Sequence, residues 1–339
     1  MKKSVIFSLF LIPLTCIRIP AAAQSLRPWS DGPLRWEEFQ RGAVATGVNS
    51  VITWQDSIRV VKDGYKSYRY RDLHSYFNSS YSSAEPELMT ETQLKRQQDF
   101  FDLSEYYARK LRDTCLTGIG NYESVRNTFW QNCLEDFEQG KTDPATVAGE
   151  LQKEPFSPKS LSYTTKRTSF FNLAFDNRFL TLADDRFSFY APSVSLEGGF
   201  KWRWYSILFG VELGLENKID FKTKASSWSA QYLSFGLDLY KTERFCVTGY
   251  LGGGIALLKM KKAGANIVIS HERPVSRLIF RGDYLLRSFI HFDKASPSRD
   301  DIRLFVSVGS DQMYFPEQMS LTFPVLIGVS INSSRIKPQ

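Results

Sequence analysis

From about residue 167 onward, apolar and polar residues alternate with a period of two over segments of ten residues or more. Tyr205, Ile207, Phe209, Val211, Leu213 and Leu215 alternate with Ser206, Leu208, Gly210, Glu212 and Gly214. Leu321, Phe323, Val325, Ile327, Val329 and Ile331 alternate in the same way with Thr322, Pro324, Leu326, Gly328 and Ser330. Successive side chains of a strand point to opposite faces, so each such segment presents one apolar face and one mixed face. Soluble strands average about 5–6 residues, whereas a tilted strand that crosses a bilayer needs about 9–11. The second half of the chain is therefore constrained to antiparallel β-structure of membrane-spanning length.

Eight strands are predicted, at about 168–179, 187–200, 203–216, 229–241, 244–258, 274–292, 301–313 and 318–332. Short connections follow the second strand (Lys201-Trp202) and the fourth (Thr242-Glu243), and a compact turn with Pro297 follows the sixth. Those after the third and fifth are long and polar, while the one near Tyr314 to Glu317 is shorter than this alternation asks for. Outer-membrane barrels alternate short periplasmic turns with longer outer loops in this way, and an even strand number returns both ends to the periplasm. The competing fold is a water-soluble β-sandwich or lipocalin-like barrel.

The mixed face carries Arg277, Arg281, Asp283, Arg287 and His291 on one strand, and Asp176, Glu197, Glu212, Glu216, Asp238, Arg303 and Asp311 on others. Inside an eight-stranded barrel these charges fill a narrow lumen, and buried charges must pair. The expected network sets Arg277, Arg281 and Arg287 against Glu197, Glu212 and Asp238, giving a plugged lumen and no pore. Gly252-Gly253-Gly254 falls within a strand, where glycine admits close packing or bending. Asp300-Asp301 is read as a solvated pair beside a turn.

Composition agrees with alternation. Mean hydropathy is −0.28, too low for a bundle of membrane helices, yet open to a barrel whose strands alternate. Aromatics at 14% and charged residues at 23% exclude a disordered chain. Residues 1–24 have the form of a secretory signal, with Lys2 and Lys3, an apolar run from Val5 to Leu14, and Ala21-Ala22-Ala23 before the cleavage site. Its removal takes Lys2, Lys3 and Arg18, so the formal net charge falls from +7 to +4. The remaining charge is scattered, and no nucleic-acid partner is implied.

The first half reads as a small α+β domain over 25–145, joined by a linker at 146–166 to a barrel at 167–333, with a tail at 334–339. Val51 to Trp54, Ile58 to Val61 and Tyr65 to Phe77 read as extended segments. Thr90 and Gln93 form a capping box. Leu94, Phe101, Ala108, Leu111 and Cys115 follow on one helical stripe, and Gly118 and Gly120 end that helix. A second helix is predicted from about Tyr122 to Phe137. Cys115 and Cys133 fall near facing helix ends, and export to an oxidising compartment favours a disulfide between them. The competing reading is three free buried thiols, with Cys246 buried in either case.

The helix from Leu94 to Leu111 resembles that of secreted zincin-like bacterial proteins of unknown function, whose helix reads L-x-H-E-Q-x-H-F-D-I-x-E-x-x-A-R-x-L. Leu94, Gln98, Phe101, Asp102, Glu105, Ala108, Arg109 and Leu111 match it. Leu34-Arg35-Trp36-Glu37-Glu38-Phe39 is similar to that family's opening L-x-W-x-D-F, and the resemblance covers about Trp29 to Gln139. It implies an α+β zincin-like scaffold followed by an all-β, eight-stranded antiparallel transmembrane barrel. The chemistry is missing, however. The two His positions hold Arg96 and Phe100, and Gln97 stands where the general base would be. Guanidinium cannot ligate zinc, and Phe has no lone pair. His74 cannot rebuild the site alone.

The expected function is accordingly non-catalytic: an anchor, scaffold or partner-binding module of the cell envelope, with no cofactor and no metal. Its expected partners are outer-membrane lipid and a periplasmic protein or peptide held around Arg96, Phe100 and Phe101. Two other classes compete. One is a small-barrel membrane enzyme using His271 near Ser270 and Glu272. The other is a soluble secreted binding protein.

Overall fold

The computed structural model describes residues 26–41, 47–153, 157–181, 188–215, 226–261, 268–314 and 319–338. The expected signal, Glu216 and the side chain of His271 lie outside this description. The elements are β1 (Leu26–Pro28), β2 (Gln40–Arg41), β3 (Val48–Asn49), β4 (Ile52–Asp63), β5 (Lys66–Asn78), β6 (Ser83–Ala84), α1 (Glu91–Leu116), α2 (Tyr122–Gln139) and α3 (Pro144–Gln152). Eight long strands follow: β7 (Tyr163–Thr181), β8 (Ser188–Trp202), β9 (Tyr205–Gly214), β10 (Ser226–Lys241), β11 (Phe245–Lys261), β12 (Val268–His291), β13 (Ser298–Tyr314) and β14 (Met319–Pro338). No described helix is long and apolar enough to cross a membrane.

The eight long strands form a closed antiparallel barrel. Each pairs with the next from β7 to β14, and β14 closes on β7 through pairs such as Val329 with Leu173. All eight strands fall where the alternation predicts them; most run a few residues longer, while β9 is two residues shorter at each end than expected. Residues 163–166 and 334–338, which the sequence reading gives to linker and tail, pair with one another through Ile336 with Thr165 and Pro338 with Tyr163.

Within β11 the three glycines serve close packing. A Cβ at Gly252 or Gly254 would overlap the β10 backbone at Leu233 or Gln231. In the lumen, Gly210 and Gly236 leave room for the rings of Tyr232 and Tyr250, so small residues on one strand receive large ones from the next.

The chain packs as two compact units that interleave in sequence. One comprises Met1–Gln55, His74–Ala108 and Asn132–Lys153; the other comprises Asp56–Leu73, Arg109–Gln131 and Glu154–Gln339. In the barrel unit, β12 runs beyond the barrel wall, and Ser288 to His291 pair in parallel with Lys66 to Arg69 of β5. Tyr68, Tyr70, Leu116, Ile290, Phe292 and Ile336 form a core there. In the other unit, Phe77 packs against Phe39 and Phe101, with ring centroids 5.0 and 6.4 Å apart.

Local signals explain the elements. Thr90 Oγ1 accepts a hydrogen bond from Gln93 N (3.3 Å) at the start of α1, and Gly118 follows its end at φ +87°, a left-handed conformation natural to glycine. Of the predicted stripe, Phe101, Ala108, Leu111 and Cys115 are buried. Asp143 caps α3 by accepting from Thr146 N (3.2 Å), with Pro144 in the first turn. Val51 to Trp54 and Ile58 to Val61 do not form two strands. Apart from Val51 they lie in the single strand β4, joined to β5 across Gly64, whose φ is +58°. The loop residues are Gly64-Tyr65, and glycine first in a two-residue loop is a hairpin signal that marks this turn in the sequence.

Candidate functional site

The lumen is built from the mixed faces of the barrel strands. Arg277 on β12 is fully enclosed. Its Nε and Nη2 donate to both oxygens of Asp311 on β13 (2.8 Å each), and Nη2 also donates to Glu212 on β9 (2.6 Å). Its guanidinium lies 3.7 Å from the centroid of the Tyr232 ring. Four residues further along the same face of β12, Arg281 donates to Asp283 (2.7 Å), to Glu197 (3.3 Å) and to Asn172 Oδ1 (3.2 Å), and stacks 3.6 Å over Phe305. Asn172 Nδ2 and the Tyr232 hydroxyl both donate to Glu197 (2.8 and 2.7 Å). Paired and hydrogen-bonded in this way, the charges meet the condition for burial.

The structure thus brings Arg277 to Glu212 and Arg281 to Glu197. It does not bring Arg287 or Asp238 into that network. A register shift between Leu285 and Arg287 places Arg287 on the exposed outer side, because one extra residue reverses the facing of all that follow. Asp238 pairs instead with Lys201 (2.5 Å). Asp300 and Asp301 lie within β13, and Asp301 is buried against Arg299 (2.7 Å) and Arg303 (3.3 Å). His291 sits between Asp293 (3.7 Å) and Asp300 (3.4 Å). Tyr232, Asn172 and Lys201 are site residues the sequence reading missed. Tyr232 was within reach, since it continues the phase of Ser234, Gly236 and Asp238.

Amid Arg277, Arg281, Tyr232 and Tyr250 only about 10 Å³ of space remains, at the lower edge of what admits one water. A bilayer holding the reconstituted chain is expected to show no large stable conductance; steady porin-sized steps would contradict a filled lumen.

In the helical unit, the motif positions of α1 do structural work. Trp29 Nε1 and Gln98 Nε2 both donate to Asp102 Oδ1 (2.8 and 2.7 Å), while Gln98 Oε1 accepts from Leu34 N (2.7 Å). Glu105, fully buried, accepts from Ser75 N (2.8 Å) and faces His74 Nδ1 (3.3 Å). Gln97 is buried and accepts from the Ser50 hydroxyl. Phe100 and Phe101 are also buried. Phe100 packs on Phe137 at 4.5 Å between centroids, so the expected contact face cannot include the two phenylalanines. Arg96 is exposed, 5.6 Å over Phe137, and borders a groove of about 480 Å³ lined also by Asp99, Asp136, Phe137, Lys141 and Thr142. Burial raises the Asp99 carboxyl above its ordinary range. Burial, with donation to Asp136, likewise raises Tyr107. Among the described residues, no group of His, Cys, Asp and Glu could hold a metal ion.

Cys115, Cys133 and Cys246 are free and buried, so the expected disulfide is absent. A bridge needs converging Cβ vectors, which proximity of helix ends does not provide. Burial pushes Cys115 up to about 11 and Cys133 up to about 12. At pH 8 the thiolate fraction at Cys115 is then about one in a thousand, against about a quarter for an open thiol. Alkylation of both is expected to be at least a hundredfold slower in the folded chain than after unfolding, as mass spectrometry would report. Comparable rates would contradict their burial.

No family model matches the chain, and no curated protein sequence does. Solved structures similar to half of it include Neisserial surface protein A, at 7% identity and a TM-score of 0.36, covering 50% of this chain and 97% of that one. Ail, the attachment invasion locus protein of Yersinia pestis, is 8% identical with a TM-score of 0.32, covering 50% and 99%. The N-terminal β-barrel domain of Pseudomonas aeruginosa OprF is 9% identical with a TM-score of 0.29, also covering 50% and 99%. The closed barrel of this chain is established by the register of its own strands.

Proposed function

We propose that the chain is a non-catalytic outer-membrane protein. Its barrel anchors a periplasmic unit built on a degenerate zincin-like scaffold, and that unit holds a protein or peptide of the cell envelope. The observation that carries this reading is the outer face of the barrel. Large apolar side chains point outward on all eight strands; Phe175, Leu251 and Ile255 are 63, 65 and 61% exposed. Monomers in water rarely expose a contiguous apolar patch beyond a few hundred Å², whereas a barrel in lipid requires one about 25 Å tall. Trp202, Trp204, Tyr205, Tyr240, Phe245 and Tyr284 stand at the short-turn end, as an interfacial girdle would. The short turns, Arg203-Trp204 and Thr242 to Arg244, favour a periplasmic facing for that end.

The hydrogen bonds that join Leu34 and Trp29 to Gln98 and Asp102 support a common scaffold behind the two resembling motifs. Arg96, Gln97 and Phe100 supply neither ligand nor base, which favours binding over hydrolysis. The groove beside Arg96, Phe137 and Lys141 offers cations, carboxylates and an aromatic face to a peptide. Photo-crosslinking from residues 96 and 141 in intact cells is expected to capture one discrete envelope protein. Capture of none, with the chain found in the outer-membrane fraction and migrating heat-modifiably, would remove the binding role and leave the anchor.

A further inference from the structure

The short-turn end of the barrel holds a cavity of about 170 Å³, far above the roughly 10–15 Å³ that admits one water. Among the described residues, the cations lining it are Lys201, Lys241, Arg281, Arg299 and Arg303. The carboxylates do not balance them. Asp238 serves both Lys201 (2.5 Å) and Lys241 (3.9 Å). Asp301 serves both Arg299 (2.7 Å) and Arg303 (3.3 Å). Arg281 has two carboxylates, Asp283 and Glu197, so the excess of cations is one at each sharing pair and one over the whole set; Glu243, which also lines the cavity, pairs with Lys66. In each sharing pair, the carboxylate neutralises one cation. Lys241 and Arg303, the more distant partners, carry the surplus. Arg303 Nε is buried with no hydrogen-bond partner, and the Lys241 side chain is 53% exposed.

We propose that this cavity binds a phosphate monoester group. Lys241 and Arg303, the less neutralised member of each sharing pair, are the two cations left to attract such a group, which carries about −1.5 to −2 at pH 7. The guanidinium offers a fork to two phosphate oxygens and the ammonium a point charge, the usual division of labour at phosphate sites. The group could arrive as free phosphate or as the headgroup of a lipid phosphomonoester. The site is independent of the groove in the helical unit.

Calorimetric titration of the full chain, folded in non-ionic detergent and chloride buffer, tests this with inorganic phosphate and, separately, with dihexanoyl phosphatidic acid. Saturable binding with one equivalent of either probe is expected, weakened at least tenfold by K241Q or R303Q and weakened by added salt. Binding of both probes assigns the phosphate group itself, and binding of the lipid alone assigns a headgroup. Lys241 is half-exposed and Asp238 keeps Lys201, so K241Q is expected to retain heat-modifiable migration. Saturable binding of neither probe, or equal binding by the wild type, K241Q and R303Q, would overturn the proposal.

Discussion

Replacing Arg277 by methionine is expected to destabilise the barrel by about 3–5 kcal/mol, the cost typical of breaking a buried ion pair from one side. The size of the effect follows from what remains. Glu212 and Asp311 are both fully enclosed, and neither can reach water once the guanidinium is gone. The ring of Tyr232 also loses the cation lying 3.7 Å above it. Adding Glu212→Gln and Asp311→Asn to Arg277→Met is expected to restore most of the loss, since no uncompensated charge is then buried. Arg287→Met is the informative control. It removes the same charge from the same strand, yet Arg287 is exposed, and its cost is expected to stay within about 0.5 kcal/mol. Urea titration of the folded band on an unheated gel measures all three variants. Equal losses at 277 and 287 would contradict the register shift between Leu285 and Arg287 and the lumen geometry.

The second large effect is expected at Leu251→Arg. Leu251 points outward near the middle of β11. An arginine on the lipid face of a barrel costs about 2–4 kcal/mol at the bilayer midplane and falls toward zero at the interfaces. The same substitution on the outside of a soluble barrel would be near neutral or would improve solubility. Refolding from urea into lipid vesicles should therefore lose about this amount at 251. An arginine at Tyr240, near the short-turn end, should cost less than about 1 kcal/mol.

These expectations also mark what could be read from the sequence and what could not. The barrel was legible because a period of two repeats on eight strands, and because a lipid-facing strand must be long. Outward Leu213, Val211 and Phe209 needed only their phase. Arg287 was not legible: a bulge depends on the partner strand, and one extra residue inverts the facing of the segment after it. Asp301 was misread because β13 begins earlier than its apolar alternation does. That Arg277 and Arg281 share a network with Glu197 and Glu212 was legible from their common face; which carboxylate meets which arginine was not, since Arg281 and Glu197, 84 positions apart, meet only once the register closes the barrel. The carboxylate sharing at the short-turn cavity is hidden for the same reason. In the helical unit, helix and caps were legible. The burial of Phe100 against Phe137 was not, because the apolar stripe names a face and not its neighbour.

Spin labels on single cysteines introduced at Leu237, Leu251 and Ile255, in the chain reconstituted into a lipid bilayer, test most directly whether the outer face of the barrel meets lipid. Collisions with oxygen, which partitions into the hydrocarbon, are expected to exceed collisions with a water-soluble nickel chelate at all three positions, with the reverse at the exposed Lys141 of the helical unit. Nickel collisions at 237, 251 and 255 as frequent as at 141 would mean that this face meets water, and the membrane barrel would be wrong.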